Sequence, residues 1–440
     1  MFLKDEHKWN LFFFSGIISL LSSILISCST YSTGLAANYE HPRVVLTSAV
    51  NSDDLSHPTK NFLIVNNLLE EYEKNPMVVI LDLDTELRVK KERPLALFLS
   101  ELCYAAAKKI DLDDSVYTKY YGSALIYAYS FLFDKNLGAE PDPYSLFFRT
   151  GIDLYNRSLA ALIRHAHYTK KLALPGDLSF PVMRGRVVIS SLESDMTWMP
   201  ETFIHILVAY DYKAAGFRSH QSGYGMGTPL ILIRRFPEQE EVTEKDRFEF
   251  FAGMDQAYPA TAFFTLEESY VTGDKLEIKA KAHLFDPLRR SRIKTDTMNV
   301  PLEIDLSAPL AFMLSKSEKE SVYVGRVYGE GGVEKEGLYM IHPYDKNKIP
   351  VVFLHGLVSS PYIWFAMIND LLGDKEIRER YQFWVYWYPT APPIFISSAQ
   401  FRERLYRLSR AFETETHPSF QSMVLVGHSM GGLISKTTAQ

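Results

Sequence analysis

Gly427-His428-Ser429-Met430-Gly431 has the residue types and the spacing to do nucleophilic chemistry. The apolar run Met423-Val424-Leu425-Val426 precedes it, and a helix-like stretch beginning Gly432-Leu433-Ile434 follows. A G-x-S-x-G turn between a strand and a helix forces its serine onto a strained bend. That bend lifts Oγ clear of the backbone, while the N-terminus of the helix faces the reacting group. A side chain at Gly427 or Gly431 would collide with the neighbouring strand or helix, which is why both positions suit glycine. The chemistry implied is acyl transfer through a covalent serine intermediate. A serine hydroxyl at its free pKa is a poor nucleophile, so a base must take its proton.

A second motif lies upstream. Ile349-Pro350-Val351-Val352-Phe353-Leu354 is a continuous apolar run, as expected of a strand buried on both faces of a parallel sheet. It leads into His355-Gly356-Leu357-Val358-Ser359-Ser360-Pro361, where Ser360 is placed to cap a helix and Pro361 to fill its first position. A helix from near Pro361 to Asn369-Asp370 should follow. After it come a strand over Gln382 to Tyr388, stopped by Pro389, and a helix over Ala399 to Glu413 with Phe401, Leu405, Leu408 and Phe412 on one stripe. Strand, helix, strand, helix, strand and elbow is the alternation of a doubly wound sheet.

These two motifs together resemble the α/β-hydrolase superfamily, whose loop after the first of these strands carries a His-Gly pair. Within it, His355 to Ser360 with Trp364 just beyond looks most like bacterial lipase/esterase proteins related to the GPI inositol-deacylase-like group. The resemblance covers about the last quarter of the chain. It implies that the backbone N–H groups of Leu357 and Met430 form an oxyanion hole. It also implies an Asp or Glu and then a His downstream of the serine, yet eleven residues follow Ser429 and none is of those types. His428 directly precedes the serine, so its ring should point away from Oγ. His355 is expected to be the structural histidine of the His-Gly turn, held by backbone hydrogen bonds. The expectation is a fragment that hydrolyses poorly or not at all, although the complete product is a serine hydrolase. The missing strands should also leave Met423 to Val426 as an unpaired apolar edge.

The other end suggests an address. Lys4 and Lys8 precede an apolar core, Leu11 to Ile26, short for a spanning helix and suited to a secretory signal. Leu25-Ile26-Ser27-Cys28 resembles a bacterial lipobox, in which Cys28 becomes the lipidated first residue of the mature protein. Ser29 after it favours the outer membrane, facing the periplasm. With Cys28 acylated only Cys103 remains, so no internal disulfide can form. Cys103 shares a helical stripe with Leu95, Leu99, Leu102, Ala106 and Ile110 and reads as a small buried hydrophobe.

Composition bounds the rest. The chain has 440 residues, 47% of them hydrophobic, and a net charge of −6, with no basic stripe interleaved with aromatics, so nucleic acid is not an expected partner. No Cys/His cluster has metal-ligand spacing, and no cofactor is implied. Gly223-Tyr224-Gly225-Met226-Gly227 lacks the lysine of a phosphate loop and reads as a flexible surface loop. The expected organisation is a signal peptide (1–27), a polar tether (28–60), a helical region (61–171) with patches resembling tetratricopeptide hairpins but no fixed repeat, a β-rich region (172–320), and an incomplete α/β-hydrolase domain (321–440). The β-rich region is read from Arg186–Ile189, Leu230–Ile233, Leu276–Ala282 and Val300–Ile304, and continues through Val322-Tyr323-Val324 and Leu338–Ile341. The expected substrate is an ester or lipid, with amides and peptidoglycan substituents left open. The competing reading is a non-catalytic envelope lipoprotein that binds peptide or protein through its helical region.

Overall fold

The computed structural model describes residues 32–35, 47–112, 115–169, 179–238, 240–273, 275–295, 298–321 and 336–439. The expected signal peptide, Cys28 and Val322-Tyr323-Val324 lie outside them. The described chain mixes helix and strand: a helical region, a six-stranded sheet, and a four-stranded sheet with helices on both faces.

Six helices build the first region: α1 (His57–Val65), α2 (Leu69–Lys74), α3 (Pro76–Lys90), α4 (Arg93–Ala107), α5 (Ser115–Phe133) and α6 (Leu146–Tyr168). Proline sits in the first turn of α1, α3 and α4, where no N–H is needed. Ser145 opens α6 by accepting the Phe148 N–H. Helix α5 packs between α4 and α6, and its last turn is capped by a buried guanidinium. Arg93 donates to the carbonyls of Ser130, Phe131, Asp134, Gly138 and Ala139. Cys103 is fully buried in this packing, and burial pushes its thiol up.

Residues 47–60, read above as the end of a tether, are instead packed. Glu101 of α4 is buried and accepts the N–H groups of Ala49 at 2.9 Å and Ser56 at 2.8 Å, together with the hydroxyls of Ser56 and Thr59. The carboxylate thus ties this segment and the start of α1 to the helical core.

The larger sheet contains β1 (Ser179–Pro181), β2 (Arg186–Ser194), β3 (Phe203–Val208), β4 (Thr228–Arg234), β5 (Gln256–Leu266) and β6 (Glu277–Phe285) in the order β1-β2-β6-β5-β4-β3. All neighbours are antiparallel except β2 and β6. Tyr155 of α6 docks on this sheet, its hydroxyl donating to the Phe264 carbonyl and accepting the Phe264 N–H. The segment Gly223–Gly227 is not the free loop expected from its glycines. Asn156 of α6 accepts the Gly227 N–H at 2.8 Å, and Met226 bridges to Leu302, so the helix holds it against the sheet.

After the helix α7 (Ser307–Ser321) come β7 (Gly337–Met340), β8 (Ile349–Leu354), α8 (Phe365–Gly373), β9 (Tyr381–Trp387), α9 (Ile394–Phe412), β10 (Val424–Gly427) and α10 (Met430–Ala439). The sheet order is β7-β9-β8-β10, with β8 parallel to both of its neighbours and β7 antiparallel to β9. Strand periodicity divides its side chains cleanly. Val351, Phe353, Phe383, Val385 and Trp387 join α7, α8 and residues Ile231, Phe251 and Ala257 in one cluster. Val352, Leu354, Trp384 and Tyr386 join Phe401 and Leu408 of α9 and Ile434 of α10 in another. Both faces are therefore covered, which explains why β8 and β9 read as unbroken apolar runs.

Glu101→Ala should strip acceptors from two buried backbone N–H groups and two hydroxyls. A loss of about 3 kcal/mol in urea unfolding is expected, with residues 47–60 becoming the first site of limited proteolysis.

Candidate active site

The three parallel strands end on one side of the sheet, and the residues with chemical potential sit on the loops beyond them. Leu354, the last residue of β8, pairs with Gly427, the last of β10. The ladder extends one step further, with the His428 N–H donating to the Leu354 carbonyl at 3.0 Å. From there the chain turns sharply: Ser429 has φ 53° and α10 begins at Met430. A serine in the left-handed region is disfavoured by about 1–2 kcal/mol, so surrounding contacts must hold it there.

The glycines supply those contacts through their lack of a side chain. A Cβ on Gly431 would lie 2.4 Å from the Leu354 carbonyl oxygen and 2.5 Å from that of His355. A Cβ on Gly427 would lie 2.5 Å from backbone atoms of Gly431 and Gly432. A Cβ on Gly356 would meet His428 Nδ1 at 2.8 Å and Ser429 Cβ at 3.3 Å. The His355–Leu357 loop and the Gly427–Gly431 turn are thus in backbone contact, with Gly356 directly against the serine.

Ser429 is exposed, and its hydroxyl makes no hydrogen bond among the described residues. The Leu357 and Met430 N–H groups likewise have no acceptor among the described residues. The amide of Met430 opens a ten-residue helix whose N-terminal dipole adds partial positive charge beside Ser429.

His355 is fully buried, and its ring has both nitrogens engaged. Nδ1 donates to the Gly356 carbonyl at 3.0 Å, Nε2 accepts the Tyr388 N–H at 3.4 Å, and the ring stacks on Tyr388 with centroids 4.3 Å apart. Burial pushes its pKa down to about 4, so it is neutral and has no lone pair left for Ser429. His428 is exposed and packs beside Gly356 rather than bonding to Oγ. No histidine or carboxylate among the described residues hydrogen-bonds to Ser429. Nor do the described residues hold a group of three His, Cys, Asp or Glu able to bind a metal ion.

Two details escape sequence reasoning. Ser360 has extended dihedrals and makes no side-chain cap; a short 3₁₀ turn, Pro361–Trp364, comes before α8. The loop after β9 joins the site through Thr390, whose hydroxyl accepts the Val358 N–H at 3.2 Å. No spacing rule marks that threonine. On the loop that meets the Ser429 turn, Leu357 and Val358 stand exposed. Comparison with family models, curated proteins and solved structures finds no match to this chain.

Relief of the strained turn should be measurable. Ser429→Gly is expected to raise stability by about 1 kcal/mol, read from the urea midpoint. Gly431→Ala should lower it sharply, because its new methyl meets backbone oxygens that cannot move aside.

Proposed function

We propose that the chain carries the nucleophile of a serine carboxylic-ester hydrolase of the α/β-hydrolase superfamily, lipase/esterase-like. The single observation that supports this most is the left-handed, exposed Ser429 on a strand-to-helix bend, flanked by the unengaged amides of Leu357 and Met430. In this reading Ser429 Oγ attacks an ester carbonyl, and the two amides receive the charge that develops on its oxygen. Collapse of the tetrahedral adduct expels the alcohol and leaves an acyl-Ser429, which water then cleaves. No base or orienting carboxylate hydrogen-bonds to Ser429 among the described residues, so Ser429 unaided should turn esters over slowly. The exposed Leu357 and Val358, on the loop that meets the Ser429 turn, favour an ester with an apolar acyl group.

A fluorophosphonate probe reports the nucleophile without needing turnover. With imidazole added to supply the base, label is expected on Ser429 and should vanish in Ser429→Ala; label that persists in the variant would refute the assignment.

We further propose that the protein is lipid-anchored in a bacterial envelope through Cys28, on the strength of the lipobox-like Leu25-Ile26-Ser27-Cys28. Several acyl chains on one cysteine make anchoring stable where a single chain is marginal. Metabolic palmitate labelling should disappear in Cys28→Ala, and retention of the label would remove the anchor.

A further inference from the structure

We propose that Thr390 is a positioning residue for the Leu357 amide, holding that N–H toward the carbonyl oxygen attacked by Ser429. The inference rests on the reading of Ser429 as nucleophile. Val358, the residue after Leu357, has φ 51°. For a β-branched side chain this left-handed conformation is sterically unfavourable and persists only under outside constraint. The constraint is visible: the Val358 N–H is held by Thr390 Oγ1 at 3.2 Å. Thr390 lies on the loop after β9, a separate element from the His355–Ser360 loop, so the bond ties two strand ends together.

The upstream end of the loop is fixed by different contacts. Tyr388, two residues before Thr390, donates its hydroxyl to the His355 carbonyl, gives its N–H to His355 Nε2 and stacks on the imidazole. Downstream, Pro361 is buried at the start of the 3₁₀ turn. Between these anchors, the Thr390 bond is the one hydrogen bond among the described residues to the peptide joining Leu357 to Val358. Without an acceptor there, Val358 is free to relax to negative φ. That rotation swings Leu357 relative to the fixed Ser360–Pro361 end and turns its N–H away from the space in front of Ser429. Thr390 makes no hydrogen bond to Ser429 among the described residues. Its effect passes through Val358 to Leu357.

The test follows fluorophosphonate labelling of Ser429, with imidazole at one fixed concentration supplying the base, in the wild-type chain and in Thr390→Val, Thr390→Ala and Thr390→Ser, separating the maximal labelling rate from the half-saturating probe concentration. One missing oxyanion donor lowers rates by about 10²–10³-fold, so a misaimed one should lower them by about tenfold. The expected result is a roughly tenfold fall in maximal rate for Thr390→Val and Thr390→Ala at an unchanged half-saturating concentration. Thr390→Ser keeps the acceptor and should restore the rate. A merely structural threonine would instead change thermal stability without this split. Wild-type labelling rates in both Thr390→Val and Thr390→Ala would overturn the clamp and leave the nucleophile standing. Absence of label from wild-type Ser429 with imidazole present would overturn the nucleophile and the clamp with it.

Discussion

Gly431 lies so close to the ends of β8 that its Cα hydrogens occupy the only space available between α10 and the carbonyls of Leu354 and His355. Much of the C-terminal sheet depends on this approach. It brings the helix after β10 into contact with the loop after β8, and so sets Gly356 against Ser429 and brings the two unengaged amides onto neighbouring loops. Any side chain at Gly431 would push α10 outward, because the opposing atoms are main chain and fixed by the β8–β10 ladder. The geometry of the candidate site is in that sense a packing result before it is a chemical one.

The ladder can bear this load because β8 is central and buried on both faces. Its side chains feed two separate clusters, one continuous with Ile231, Phe251 and Ala257 from the region of the larger sheet, the other closed by α9 and α10. Phe251 is the joint between the two sheets. It contacts the rings of Tyr339, Phe365 and Trp387 with centroids 5.3 to 5.7 Å apart, offset or edge-on as aromatic quadrupoles prefer. The helical region meets the larger sheet through Tyr155 and Asn156 of α6, so its contacts with the rest of the chain are polar and directional as well as apolar.

Legibility in the sequence followed the physics of each segment. Strands covered on both faces, β4, β8 and β9, announce themselves as apolar runs, and β6 shows its half-exposed face as alternation. Strand β5 stayed hidden because Pro259 interrupts it. Pro259 lies opposite Ile231 in the ladder with β4 and beyond the last rung with β6, which ends at Phe285 opposite Thr261. The G-x-S-x-G and His-Gly motifs could be found because close backbone approach leaves glycine as its trace. The segment 47–60 misleads for the opposite reason: its Ser and Asp residues look like a solvated linker, and only the buried Glu101, far along the chain, makes them part of the core. Thr390 is invisible for the same cause, since a single hydroxyl on a distant loop has no periodicity.

Strand β10 makes the strain at Ser429 instructive. Among the described residues it pairs with β8 alone, and Val424 is 41% exposed, so the strand itself contributes little toward holding a serine in the left-handed region. The restraint must come from the helix beyond the turn. Ile434 is fully buried against Leu354 and its neighbours, and Met430 nearly so. The hydroxyl of Thr437 bonds to Ser398 of α9, and Arg402 donates to the Thr437 carbonyl at 2.8 Å. With α10 fastened to α9 at one end and Gly431 pressed on β8 at the other, a relaxed turn would have to lift the whole helix. The strain is therefore local to one residue while the contacts that sustain it are spread over three elements, which is how a site can be strained on a strand that is itself weakly supported.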